Sequence, residues 1–116
     1  MMLDTNQPCP IARTAELVGD TWTLLIVRDL MEGPRRFGQL QDSLGHVSPK
    51  TLSQRLKMLE AAEILQRHAF AEIPPRVEYT LTPTGRALSQ IVEAMKTFGE
   101  TYLPYSEPEH YQLAGD

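Results

Sequence analysis

The feature that most constrains the fold of this chain is a helix start at Ser48-Pro49-Lys50. Serine is a favoured N-cap, and proline suits the first helical position because its missing N–H would have no partner there. Three leucines then recur at i, i+4 and i+7 and predict one apolar stripe along a helix over 49–62: Leu52, Leu56 and Leu59. A second apolar trio predicts a two-turn helix over 38–44: Phe37, Leu40 and Leu44. Two helices joined by the turn at 45–47 form a helix-turn-helix.

The apolar periodicity changes from helical to strand-like after this second helix. Apolar and polar residues alternate over 76–81, which predicts a strand with one inward face: Val77, Tyr79 and Leu81. The run 64–70 is also strand-like, and Pro74-Pro75 predicts the hairpin loop because proline cannot donate to a strand ladder. A helix-turn-helix followed by a β-hairpin is a winged helix. We therefore predict a mainly α fold with a small β-hairpin.

Three further helices complete the predicted bundle. The first covers 10–19 and begins with a proline. The second covers 22–32 after a cap at Asp20 or Thr21, and apolar residues on nearly all its sides predict the buried centre of the bundle. The last follows a second Thr-Pro pair and is predicted as one amphipathic helix over 83–103.

The chain length of 116 residues fits one domain. We expect a leader without regular structure at 1–8, a winged-helix domain with terminal helices at 9–103, and an acidic tail at 104–116. The single cysteine, Cys9, excludes an internal disulfide and a paired-cysteine metal site. The sequence has neither an apolar run of about 20 residues nor a signal-peptide pattern, so we expect a cytoplasmic protein without a membrane partner.

The charge of the chain is unevenly distributed. The net charge is −4, yet residues 35–76 hold seven basic and four acidic side chains, a local balance of +3. The flanks hold the other four basic and eleven acidic side chains, a balance of −7. A basic middle between acidic ends indicates that one surface meets a polyanion.

The predicted helix over 49–62 has a polar outer face. With the leucine stripe inward, Lys50, Gln54 and Lys57 lie opposite it, and Thr51, Ser53, Arg55 and Met58 flank that face. Lysine and arginine suit guanine acceptors or phosphates, and glutamine suits adenine. The candidate DNA contacts on this helix are Ser48, Lys50, Thr51, Ser53, Gln54, Arg55 and Lys57. The alternative is an ordinary solvated helix face.

Basic residues also flank the hairpin and the first helix of the helix-turn-helix. Arg67, His68 and Arg76 lie beside the proline-rich loop, where a wing would meet the minor groove. The alternative is a solvated hairpin whose charges only prevent aggregation. Arg35 and Arg36 precede the first of the two helices and could hold a phosphate, although Arg36 could instead be a structural partner for Glu60.

Enzyme chemistry has little support. The three histidines are scattered, and the sequence contains no HExxH, no GxSxG and no glycine-rich phosphate loop. The aromatic residues on apolar stripes are better interpreted as core than as a cofactor site: Trp22, Phe37, Tyr79 and Phe98. We therefore expect no catalysis, no cofactor and no metal.

A series of motifs follows in order over about 9–100: Cys9-Pro10, WTLLI at 22–26, RFGQL at 36–40, SPKTLSQRL at 48–56, Leu59-Glu60, PPRVEYTLT at 74–82 and Gly85. In content and spacing they resemble the HxlR-type winged-helix transcriptional regulators of bacteria and archaea. The chain departs from the family at Glu63, where glycine is usual. Since glycine would serve a left-handed helix cap, Glu63 should cost up to about 1 kcal/mol or shift the helix end.

The resemblance implies a two-fold dimer formed by the terminal helices. An amphipathic last helix is larger than a three-helix core needs and would otherwise expose an apolar patch. The candidate interface residues are Ile11, Leu88, Ile91, Val92, Met95, Phe98 and Tyr102. The alternative is an intramolecular cap over the bundle.

Cys9 is a candidate redox or electrophile sensor. At the N-cap of the first helix, the partial positive charge of the helix favours the thiolate, and Arg13 one turn later adds to it. Several relatives carry a sensing cysteine at the matching position, which the resemblance extends to Cys9. The alternative is a small, inert hydrophobe under the dimer contact.

These patterns predict a homodimeric transcriptional regulator that binds a pseudo-palindromic operator in double-stranded DNA, with a small molecule or an oxidant as a possible effector. The alternative is a winged-helix adaptor that binds protein and no DNA. A weaker third option is a small thiol enzyme that uses Cys9.

Overall fold

The computed structural model describes residues 6–107, so most of the predicted leader and tail lies outside the described residues. The helices and strands follow in this order: α1 Pro10–Val18, α2 Thr23–Leu30, α3 Phe37–Leu44, α4 Pro49–Ala61, β1 Leu65–Phe70, β2 Arg76–Leu81, α5 Pro83–Ala87 and α6 Ser89–Tyr102. The predicted winged helix, mainly α with one β-hairpin, is confirmed. No helix within 6–107 is long and apolar enough to span a bilayer.

Helix α2 is the centre of the bundle, as its apolar residues on all sides predict. Ile26, Val27 and Leu30 are buried almost completely, and α1, α3, α6 and β2 pack around the helix. Asp20 stabilises its first turn, because Oδ1 accepts from the backbone N–H groups of Trp22 at 2.7 Å and Thr23 at 2.9 Å.

The helix-turn-helix forms at the predicted residues. Ser48 Oγ accepts from the backbone N–H of Thr51 at 3.1 Å, so serine caps α4 one residue before Pro49. The leucine stripe of α4 is buried against Leu40 of α3. Met58 is also buried, which corrects its predicted place beside the polar face.

The hairpin pairs β1 with β2 in antiparallel register, with Leu65 opposite Leu81 and Phe70 opposite Arg76. Tyr79 and Leu81 are buried and Thr80 between them is half-exposed, as the alternation predicts, whereas Val77 of the inward face is only half-buried. Arg35 adds a single bridge to the other edge of β2, through two backbone hydrogen bonds with Tyr79 of 3.1 and 2.8 Å. The segment before α3 is thereby fixed to the wing.

Glu63 ends α4 in the left-handed conformation, with φ of 60°. Its N–H donates to Glu60 O at 3.0 Å, and the N–H of Ile64 donates to Leu59 O at 2.9 Å. These two bonds form the Schellman motif, in which glycine is the usual left-handed residue. Glu63 therefore forms the same cap that a glycine would form. Its Cβ makes the left-handed conformation sterically less favourable than it would be for glycine.

The single helix predicted over 83–103 is wrong, because the chain breaks at Leu88 between α5 and α6. Thr82 caps α5, its Oγ1 accepting from the N–H of Gly85 at 3.0 Å and donating to Glu63 O at 2.6 Å. A Cβ on Gly85 would lie 2.0 Å from the carbonyl oxygen of Ile64. The first turn after the wing is thus pressed against Ile64, between α4 and β1, and Leu88 separates α5 from α6.

Candidate nucleic-acid interface

The outer face of α4 carries the predicted recognition residues at two levels of exposure. Lys50, Gln54 and Lys57 are exposed, whereas Thr51, Ser53 and Arg55 are half-buried. The hydroxyl of Ser48 donates to Thr51 Oγ1 at 3.0 Å, so these two hydroxyls also serve the helix cap. The side chains free to meet a ligand are therefore the two lysines and the glutamine.

Arg55 does not share that freedom. Its Nη1 lies 3.7 Å from Asp20 Oδ2 and 3.5 Å from Met58 Sδ, so the guanidinium bends over α4 toward the loop between α1 and α2. Burial raises the pKa of Asp20, but hydrogen bonds from Thr23 and Trp22 and the charge of Arg55 lower it more, so the carboxyl pKa is below its ordinary value.

The two arginines before α3 differ in their surroundings. Arg35 Nη2 pairs with Glu32 at 3.2 Å and its Nη1 donates to Pro34 O, so its charge is partly neutralised. Arg36 is exposed, and its backbone N–H donates to Gln39 Oε1 at 2.9 Å. Within residues 6–107 no ion pair joins Arg36 to Glu60, which removes the structural alternative for this arginine.

The basic residues of the wing lie on opposite faces of the hairpin. Arg67 is opposite Tyr79 in the register, and directly opposite residues share a face, so Arg67 lies on the face that turns toward the core. It extends beyond the core and is exposed. His68 lies on the other face, where its Nε2 is 3.1 Å from Thr80 Oγ1.

Arg76 lies on the same face as His68 and is engaged within the wing. Its Nη2 is 2.6 Å from Glu72 Oε2, its Nη1 is 2.5 Å from Glu78 Oε2, and its Cζ lies 3.8 Å above the centroid of the Phe70 ring. The hydrogen bond from Arg76 lowers the pKa of Glu72, and hydrogen bonds to Glu72 and Glu78 raise the pKa of Arg76. This guanidinium is therefore engaged within the hairpin, and its predicted contact with DNA stays a prediction.

The cations of the basic segment therefore divide into two groups. Arg35, Arg55 and Arg76 are paired with carboxylates. Among the described residues, the others make no ion pair, and all four are exposed: Arg36, Lys50, Lys57 and Arg67. We call these four the unpaired basic set. They come from the start of α3, from α4 and from β1, the elements that a winged helix presents to nucleic acid.

The HxlR-like helix-turn-helix family model matches residues 17–107. The chain belongs to this family. It is a transcriptional regulator with a helix-turn-helix domain, as the resemblance predicts, and the expectation that it is not an enzyme agrees with the function class of the HxlR-like relatives.

Relatives of this HxlR-like chain cover most of its length. The uncharacterized HTH-type transcriptional regulator sll1512 of Synechocystis sp. is 41% identical over 113 residues, 97% of this chain and 84% of the relative. The regulator YodB of Bacillus subtilis is 38% identical over 98 residues, 84% of this chain and 88% of YodB.

Two solved structures share the fold. The reduced form of YodB has a TM-score of 0.71 at 35% identity, covering 92% of this chain and all of that one. The redox regulator HypR in its oxidized form has a TM-score of 0.78 at 31% identity, covering 86% of this chain and all of that one.

Cys9 is exposed at the N-cap of α1. Arg13 Nη1 donates to the carbonyl oxygens of Gln7 at 2.7 Å and Pro8 at 3.1 Å, which folds the residues before Cys9 against the helix. Within residues 6–107 no side chain buries the thiol.

The terminal helices expose much of the predicted dimer face. Ile11 is 79% exposed and Phe98 56%, and α6 has no buried residue. The rings of Phe98 and Tyr102 are 5.0 Å apart. Ile91 and Val92 are half-buried, whereas Leu88 is only 8% exposed and lies in the core of its own chain, which corrects its predicted place in the interface.

A cavity of about 630 Å³ opens between α2 and α6. It is mainly apolar but also includes charged side chains. Its lining residues are Leu24, Leu25, Arg28, Met31, Glu32, Val92, Glu93, Met95 and Lys96. A small-molecule effector, which the sequence leaves open, would fit this volume.

Sequence reasoning missed the carboxylates that hold the paired arginines. Glu72 and Arg76 are four residues apart across the proline-rich loop, and Phe70 and Arg76 end the two predicted strands, so their meeting could have been inferred from the hairpin. Asp20 is 35 positions from Arg55, and no local pattern connects them.

Proposed function

We propose that the chain binds duplex DNA sequence-specifically, with α4 in the major groove and the β1–β2 wing along the adjacent backbone or minor groove. The observation that carries this proposal is the unpaired basic set, exposed on three neighbouring elements of a chain whose net charge is −4. Cations left without carboxylate partners can neutralise phosphates without first breaking an ion pair.

The side chains divide by task. Lys50 and Gln54 lie in the first turns of α4, the part of a recognition helix that reaches base edges. Arg36, Lys57 and Arg67 lie away from the first turns of α4, so they suit phosphates and not base edges. Thr51 and Ser53 are half-buried and add hydroxyl contacts at the edge of this surface.

The regulator acts as a homodimer on a pseudo-palindromic operator. The support is the apolar face of α1 and α6, where Ile11, Met95, Phe98 and Tyr102 are each more than half exposed. A second copy that covers this face would place two recognition helices on half-sites separated by whole helical turns, in steps of about 34 Å.

Fluorescence anisotropy with a labelled random-sequence duplex over a series of salt concentrations tests the DNA proposal. Three phosphates neutralised by Arg36, Lys57 and Arg67 predict a log–log slope of about −2.7 per chain. Binding that ignores salt, or no binding to any duplex at low salt, would favour the adaptor alternative, in which the same surface meets an acidic protein.

A response to oxidants is a second candidate function, and exposed Cys9 supports it. YodB has a solved structure of its diamide-treated form, and HypR is a redox regulator with a solved structure of its oxidised form. With one cysteine per chain, diamide would accept two electrons and two protons from two Cys9 thiols and leave an intermolecular disulfide. Duplex affinity before and after diamide, with Cys9→Ser in parallel, tests this. Equal responses of wild type and Cys9→Ser would exclude it.

A further inference from the structure

The tip of the wing contains a compact cluster around Arg76. The Nε of Arg76 donates to both carboxylate oxygens of Glu72 at 3.2 and 3.1 Å, and Nη2 donates to Oε2 of the same carboxylate. Nη1 donates to Glu78, and the Phe70 ring covers one face of the guanidinium. Every nitrogen of the fork is therefore engaged within the hairpin.

We propose that Arg76 is a positioning residue that holds the tip of the wing in its DNA-binding shape and does not itself contact DNA. The inference rests on the proposed function. It concerns the residues between β1 and β2, all of which are exposed and include the two prolines. Glu72 belongs to this loop, and Phe70, Arg76 and Glu78 belong to the strands.

The charges of the cluster argue against a direct contact. The guanidinium of Arg76 bonds two carboxylates, so these three side chains carry a net charge of −1, and the charge of Arg36 also acts on Glu72. A phosphate that approached Arg76 would have to displace Glu72 or Glu78 and would meet the repulsion of the other. A cation already neutralised twice gives little attraction to a polyanion.

The geometry of the hairpin supports the same conclusion. Phe70 and Arg76 are directly opposite in the last pair of the ladder, so stacking of the guanidinium on the ring ties the two strands where the ladder ends. The bonds to Glu72 then tie the loop back to β2. Arg67 lies on the other face of the hairpin, so the wing can present it without engaging Arg76.

Three variants distinguish a positioning role from a contact: Arg76→Gln, Arg76→Lys and Glu72→Gln, with Arg67→Gln as the matched control. Affinity for labelled random-sequence duplex is measured over a series of salt concentrations. Arg76→Gln is expected to weaken binding at least about tenfold, since DNA must then order the loop, with an unchanged salt slope. Arg76→Lys is expected to fail as a rescue, because lysine lacks the planar fork. Arg67→Gln should reduce the slope by about 0.9.

Glu72→Gln gives the sharpest result, because the two roles predict opposite signs. The variant removes a negative charge and releases Arg76, so a direct contact predicts tighter binding. A positioning role predicts weaker binding. Tighter binding by Glu72→Gln, or a slope reduced by about 0.9 in Arg76→Gln, overturns the proposal.

Amide hydrogen exchange of the free protein provides a readout that needs no DNA. Arg76→Gln is expected to lose protection at the end of the β1–β2 ladder and to keep it in α2. Unchanged protection in the wing overturns the proposal. If wild type binds no duplex, the proposed function fails, and the exchange measurement still decides whether Arg76 holds the wing.

Discussion

Asp20 of the loop between α1 and α2 faces Arg55 of α4, with Oδ2 3.7 Å from Nη1. The same carboxylate caps α2 through the N–H groups of Trp22 and Thr23. One side chain thus links the start of the central helix to the middle of α4. Arg55 is part of that link, and Lys57, two residues later, is not.

Lys57→Gln and Arg55→Gln should therefore change DNA binding differently. Loss of the exposed Lys57 is expected to reduce the salt slope by about 0.9, because one phosphate contact is lost. Arg55→Gln should leave the slope nearly unchanged, since its charge is already shared with Asp20. Anisotropy titrations over the same salt series measure both. Equal reductions for the two variants would contradict the assignment.

Lys50→Ala and Gln54→Ala are expected to relax sequence preference. Each should cost about 1–3 kcal/mol at one base position if the side chain makes a bidentate contact there. Selection of bound duplexes from a random pool, followed by sequencing, shows which position loses its preference. Glu60→Gln, a change on the last turn of the same helix, is the control and should retain the wild-type preference.

Charge on the apolar face of α6 should separate the proposed dimer. Phe98→Glu places a carboxylate among exposed apolar side chains that a second copy would bury, so a monomer with much weaker operator binding is expected. Light scattering measures the mass, and Glu93→Gln on the same helix is the control. A Phe98→Glu chain that remains dimeric would place the interface elsewhere.

Glu63→Gly should raise the free energy of unfolding by up to about 1 kcal/mol, because glycine adopts the left-handed cap without steric cost. Glu60→Gly, three residues earlier and inside α4, removes a similar side chain from a right-handed position. It should lower stability by about 1 kcal/mol. Urea denaturation measures both, and the opposite signs exclude a general effect of losing a surface carboxylate.

Acid should weaken the fold partly through Asp20. Its pKa is lower in the folded chain than in the unfolded one, so its contribution is present above the unfolded pKa and is lost as pH falls through the folded pKa. Urea denaturation from about pH 6 to pH 3 should show a smaller loss of stability in Asp20→Asn than in wild type. Asp42→Asn, at an exposed position of α3, should retain the wild-type dependence.

The sequence predicts the elements whose signals are local. Ser48 and Pro49 define the start of α4, and alternation over 76–81 defines β2, so both strands and the helix-turn-helix are where the patterns predict. The break at Leu88 escaped prediction because Leu88 continues the apolar stripe of the helix that follows. Leu88 itself is in the right-handed helical region, with φ of −66° and ψ of −12°, so no local signal marks the break.

For the charged side chains too, the sequence predicts only what depends on local structure. A helical wheel gives the direction of Lys50, Gln54 and Lys57 correctly, since solvent surrounds all three. It cannot show that Arg55 bends toward a carboxylate in another loop, because that distance depends on how α1 and α2 pack. Tertiary structure therefore decides which arginines remain without an ion pair, whereas the net charge can be counted from the sequence.

Gly85 has a consequence for the spacing between the wing and α6. The backbone at Gly85 passes so close to Ile64 that no Cβ fits. This contact holds the base of the wing tightly against the helices that follow. In a pair of chains joined through α6, the distance between the two α4 helices would therefore be fixed. An operator whose half-sites are moved apart by a few base pairs would then be rejected, and the regulator could not stretch to follow them.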